Sequence, residues 1–157
     1  MAESTISGLD EIEAMLRQLP SKVEREQVVE KSLRAGASVI HDAAKENLIS
    51  AGSVDTGLLA NTMRITRQAD QRQGQVIVSL KPSSKLSMVI RKGKGKPTRA
   101  RPSRYAHFVE KGTEHSPARP FMRPAVDEKG QKAVETIRDT ALKAIADVAR
   151  KLGLKVT

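Results

Sequence analysis

Cysteine and tryptophan are missing from this 157-residue sequence, and its remaining aromatics are one tyrosine and two phenylalanines. Without cysteine there is no disulfide, no thiolate metal ligand and no Cys/His nucleophile, and a reducing compartment is permitted. With aromatics at 2%, the core has to be assembled from Leu, Ile, Val, Met and Ala. A modest core of that kind is one that neighbouring subunits can complete. No apolar run approaches the ~20 residues that cross a bilayer. The opening MAESTISGLDEIEAM lacks the basic-then-apolar order of a signal peptide. The expectation is a soluble chain, intracellular at synthesis, with no membrane partner.

Catalytic signatures are also scarce. Neither G-x-x-x-x-G-K-[ST] nor G-x-S-x-G occurs. His41 falls inside an expected helix. His107 and Glu110 stand three apart, with His115 further on, and the three can imitate a metal site. Ordinary hydrogen bonding beside a loop is the plainer reading, and in a strand His107 and Glu110 point to opposite faces. Asp10, Glu11 and Glu13 read as the solvated face of a helix. The sequence therefore predicts no catalytic residue, no metal site, no cofactor and no enzymatic activity.

What is present suits one α+β domain over residues 1–157, with N-terminal helices, a small and mostly antiparallel sheet, and a long C-terminal amphipathic helix. Leu9, Ile12, Leu16 and Leu19 have helical spacing, and Pro20 stops them. Ser21 and Glu24 offer a capping box for a second helix reaching about Ile49, with Val29, Leu33, Ile40, Ala44 and Leu48 on one face. Gly36 interrupts that helix, and close packing of another backbone is a reason for it. AGSVDTG (51–57) is a turn cluster. LANTMRITRQ and QVIVSLK read as strands about the turn ADQRQG, and LSMVIRK as a third. Tyr105–Glu110 alternates weakly and fits another strand or a short helix, the strand being favoured. From Pro124, the stripe Val134, Ile137, Ala141, Ile145, Val148 and Leu152 predicts the last helix, with Gly130 able to delay its start and Gly153 to close it.

The net charge is +10, and most of it sits in RKGKGKPTRARPSR, residues 91–104, which holds seven cations and no acid. These are Arg91, Lys92, Lys94, Lys96, Arg99, Arg101 and Arg104. Glycine, proline and charge predict a flexible loop. Lys and Arg displace the counterions of nucleic acid, and contact by all seven predicts a salt slope of about −6 on duplex DNA. With no aromatics interleaved, base reading is not supported. An acidic protein surface is the other partner such a loop fits.

All three aromatics lie in YAHFVEKGTEHSPARPFMRPA, residues 105–125, together with Pro117, Pro120 and Pro124. Tyr105, Phe108 and Phe121 can anchor a loop to the core. Proline fixes φ and removes donors, so PARPFMRP also predicts a stiff extended strap, able to present Phe121 and Met122 to a neighbour at small ordering cost. The residues expected at a subunit interface are thus Tyr105, Phe108, Glu110, Arg119, Phe121, Met122 and Arg123, the arginines pairing with acids across it. Gly112 and Thr113 shape the turn before the strap.

This stretch resembles the gene-product-ten-like family of head–tail joining proteins from long-tailed, lambda-like bacteriophages. The resemblance rests on Tyr105, Ala106, Phe108, Val109, Glu110, Gly112 and Thr113, then on Pro120, Phe121, Met122, Arg123, Pro124 and Ala125. Thr56, Gly57 and Leu59 make a second match, after a helix containing LRAGASVI, and the likeness runs from about residue 8 to 152. Lys111 departs from it, standing where an aromatic or apolar residue is common, and the 91–104 loop is longer and more basic than the pattern requires. The resemblance implies a small α+β structural subunit of the virion, made in the host cytoplasm. It implies a homo-oligomeric ring at the neck, contacting other neck, head-connector and tail-tube proteins and non-specifically the packaged DNA. A tail terminator capping the tail tube is the neighbouring alternative. A non-specific DNA-binding protein is the alternative of another class, though it leaves the proline strap unexplained.

Overall fold

The computed structural model describes residues 9–52, 57–68, 75–90 and 98–153. In chain order these form α1 (Leu9–Gln18), α2 (Lys22–Ser50), α3 (Leu58–Thr62), β1 (Met63–Gln68), β2 (Ile77–Pro82), β3 (Met88–Ile90), β4 (Thr98–Ala100), α4 (Pro102–Lys111) and α5 (Met122–Leu152). The fold is α+β, with helices first, short strands between and a long helix last. β1 pairs with β2, and β3 pairs antiparallel with β4, placing Met88 opposite Ala100 and Ile90 opposite Thr98. Among the described residues no helix is long and apolar enough to cross a membrane.

The chain packs as two compact units, and its buried side chains form two clusters where the composition predicts one core. The first unit takes in Met1–Ala37, Arg67–Val78 and Gln131–Thr157. Its cluster holds Ile12 and Leu19 from α1 and its end, Val28 from α2, and Ala141, Ala144 and Ile145 from α5. Gly36 belongs here: a Cβ on it would stand 2.7 Å from Ile137 Cδ1 and 2.9 Å from the Ala133 carbonyl oxygen. The close packing expected of that glycine is the one found. The capping box before α2 is half formed. Ser21 Oγ accepts the Val23 N–H at 3.2 Å, while the buried Oε2 of Glu24 has no hydrogen-bond partner among the described residues.

The second unit comprises Ser38–Thr66 and Ser79–Gly130. Its cluster gathers Ala43, Ala44 and Leu48 of α2, Leu59 and Ala60 of α3, Met63, Phe121 and Ala125, with Tyr105, Ala106 and Val109 of α4 packed against them.

Three sequence expectations are corrected. Tyr105–Glu110 is helix, not strand. Pro102 sits in the first turn of α4 and sets its φ, and Tyr105 and Val109, four apart, share the inward face with Ala106. LANT is the helical turn α3 rather than the start of a strand. The expected 91–104 loop is shorter, because Thr98–Ala100 pairs with β3 and α4 begins at Pro102. The turn ADQRQG lies outside the described residues. Gly130 does not delay α5, which runs unbroken from Met122.

Candidate functional site

α4, the turn after it and the start of α5 place most of the expected site residues together. Gly112 ends α4 at φ 78°, its N–H bonded to the Phe108 carbonyl at 2.8 Å. A Cβ there would meet Ala118 N at 2.7 Å, and only glycine suits both the positive φ and the crowding. Thr113 and Ser116 then bridge each other, with the Thr113 N–H bonded to the Ser116 carbonyl at 2.8 Å. This turns the chain back along α4, where Arg119 N–H reaches the Val109 carbonyl at 2.8 Å.

The return delivers the amino end of α5 to Glu110. Its carboxylate accepts the N–H groups of Phe121 (2.8 Å), Met122 (3.0 Å) and Arg123 (3.1 Å). The next residue, Pro124, has no N–H to satisfy. The open donors that every helix start carries are therefore closed by one side chain and one proline, with a negative charge at the positive end of the helix. Burial alone pushes the Glu110 carboxyl up. The N–H groups of Met122, Phe121 and Arg123, with the Arg123 charge, outweigh burial and hold it below the ordinary glutamate range.

Phe121 is 3% exposed, inside the core of its unit, and its carbonyl accepts Asn47 Nδ2 at 3.2 Å. The proline strap thus does not present Phe121 to the outside. The α5 helix starts within the expected strap, at Met122, and the Glu110 clamp turns the ring inward. Met122 is half-buried against the same core and Arg123 is exposed. Arg119 is exposed, and its Nη1 donates to the Gly52 carbonyl at 3.1 Å, just past the end of α2. The α2 last turn has no basic residue of its own. Tyr105 is half-buried, and burial pushes its phenol up.

Phe108 is the aromatic that faces out, 50% exposed, its ring 3.8 Å from that of His107. Beside it opens a cavity of about 370 Å³ lined by Tyr105, Phe108, Val109, Thr113, Ser116, Pro117 and Arg119. On the same side of α4, three and four residues away, stand the exposed Lys111 and Arg104, with Arg101 and Arg99 exposed before them. Among the described residues none of these four cations has an ion-pair partner. Arg91, Lys92, Lys94, Lys96 and Thr56 lie outside the described residues. Gly57 immediately precedes α3, and Pro120 closes the extended link before Phe121.

The structure gathers no group of three metal-ligating side chains among the described residues. His115 is exposed in the turn, Glu110 is committed to α5, and His41 Nδ1 lies 2.8 Å from the Asp42 carboxylate. Sequence reasoning does not single out Asn47, whose bond to Phe121 joins residues 74 apart. No local pattern signals such a partner.

A family model described as "Bacteriophage HK97-gp10, putative tail-component" matches residues 10–112. No curated protein and no solved structure gives a significant match.

Proposed function

The chain belongs to the HK97-gp10-like family of bacteriophage tail components, and from that premise we propose that it is a structural ring subunit of the virion neck. In this reading, copies associate around the DNA channel and join head to tail or complete the tail. The observation that carries it is the outward face of α4, where Phe108 and its adjoining cavity stand exposed beside cations with no ion-pair partner among the described residues. The conspicuous residues behind that face already have structural roles. Glu110 clamps α5, Phe121 fills the core and Arg119 bonds to Gly52.

A ring needs one surface that docks on a different surface of the next copy. Exposed Arg99, outside that face, and the sequence cations Arg91, Lys92, Lys94 and Lys96 support a further, sequence-blind contact with packaged DNA, since cations contact phosphates without reading bases. The family description names the tail, and this favours a second placement as the terminator that caps the tail tube. Inactivating the gene in a phage that carries it tests the reading and separates the two placements. Finished heads beside finished but unjoined tails support the neck, whereas tails of uncontrolled length support the terminator. Normal virions lacking the chain would overturn both.

A further inference from the structure

Two sets of exposed side chains in the second unit match each other in chemistry. On α2, Asp42, Glu46 and Ile49 follow at i, i+4 and i+7, on the side away from the buried Ala43, Ala44 and Leu48. On α4, Arg104 and Phe108 follow at i and i+4, away from the inward Tyr105 and Val109, and Arg101 is exposed on the extended residue that precedes the helix. Ile49 is 56% exposed and Phe108 50%, so each is open to a partner. Glu46 has no ion-pair partner among the described residues, and Asp42 has His41 alone.

We propose that the α2 set of one copy docks on the α4 set of the next, with Ile49 entering the cavity beside Phe108. This rests on the reading of the chain as a self-associating tail component. With the helices side by side and parallel, Glu46 faces Arg104 once Ile49 meets Phe108, and Asp42 lies toward Arg101 at the amino end of α4.

The occupant follows from the chemistry. A cavity walled in part by Tyr105, Phe108, Val109 and Pro117 and flanked by cations takes an apolar side chain flanked by carboxylates, and this chain displays that pattern itself. A phosphate backbone satisfies the cations and leaves the cavity empty. The two sets are different surfaces, so the contact is head-to-tail and propagates until it closes.

The test uses two double variants of the full chain, Arg101→Glu with Arg104→Glu, and Asp42→Arg with Glu46→Arg. Light scattering over a concentration series reads the mass, and circular dichroism checks that each folds. Wild type is expected to associate, and each double variant to associate more weakly by roughly ten-fold or more. An equal mixture of the two restores association, because each then meets a complementary face, and so does the chain carrying all four changes. Ile49→Ser alters no charge and must also weaken association, which keeps the test open should a charge variant misfold.

The docking is overturned by a wild type that stays monomeric at its highest soluble concentration, or by any of the three variants associating as wild type does. Folded double variants whose mixture stays dissociated overturn it as well. Virions of a phage carrying the gene distinguish the two levels. The chain present in virions, with unaffected variants, refutes this docking and leaves the tail-component reading standing. Its absence from virions refutes that reading.

Discussion

Gly36 of α2 lies so close to Ile137 of α5 that no side chain fits between them, with the Ala133 carbonyl oxygen 2.9 Å from where a Cβ would stand. Two effects oppose each other when Gly36 becomes alanine. Helix propensity favours alanine by about 1 kcal/mol. The added methyl meets a side chain and also a backbone oxygen, which moves only with its helix, and such overpacking costs about 1–3 kcal/mol. Gly36→Ala is therefore expected to lower stability in chemical denaturation, and Ile137→Ala in the same chain to offset part of the loss. A stabilised Gly36→Ala protein would show that the helices have room to separate.

The Glu110 clamp gives a pH signature. The folded carboxyl lies below its ordinary value of 4.5, so its contribution is fully present above that value and disappears as pH falls through the lower, folded one. Replacing it with alanine removes the acceptor for three N–H groups at the start of α5, a loss of about 1–2 kcal/mol by the measure of helix caps. Glu110→Ala is expected to melt earlier at neutral pH and to lose less of its stability on acidification than wild type does. Parallel melting curves between neutral pH and the acid limit of folding measure both effects.

Arg67, near the end of β1, reaches two carboxylates of α2, donating from Nη1 to Glu30 at 2.9 Å and from Nη2 to Glu26 at 3.0 Å. The Arg34 hydrogen bond, then that of Arg67, holds the Glu30 carboxyl below its usual range against the opposing effect of burial. Without Arg67, Glu26 and Glu30 lose the cation they share and keep Lys22 at 3.9 Å and Arg34 at 2.8 Å respectively, as like charges four residues apart. These groups are solvated, so salt screens them. Arg67→Ala is expected to lower the melting temperature in dilute buffer, and the gap from wild type to narrow as sodium chloride is added. An unchanged gap at high salt would point to packing of the arginine stem instead.

The long helices are legible because periodicity is a local property. Val134, Ile137, Ala141 and Ile145 repeat along α5 and are buried or half-buried in that order, while Leu152, the last of the stripe, is 42% exposed past the core. α4 is hidden for the same reason inverted. Over six residues, Tyr105 and Val109 face in while Phe108 faces out, which from sequence alone reads as weak alternation. The candidate site was legible as a place and not as an orientation. Aromatics and prolines mark residues 105–125, yet what turns Phe121 inward is a carboxylate 11 residues earlier and an amide 74 residues earlier. Such pairings leave no trace in composition or spacing.

That orientation separates two phenylalanines with opposite expected behaviour. Phe121 fills the centre of its unit at 3% exposure, and Phe121→Ala opens a cavity worth about 3–5 kcal/mol. At ~2–4 °C per kcal/mol for a chain of this size, the melting temperature falls by roughly 6–20 °C. Phe108 is half exposed, and Phe108→Ala is expected to change stability by about 0.5 kcal/mol or less, as for an ordinary surface position. Self-association reverses the order. At temperatures where both variants are folded, Phe121→Ala keeps the outward face of α4 and associates as wild type does, whereas Phe108→Ala loses the apolar centre of that face and dissociates. Melting curves and light scattering on the same two proteins decide it. Association lost in Phe121→Ala and kept in Phe108→Ala would return the contact surface to the proline segment.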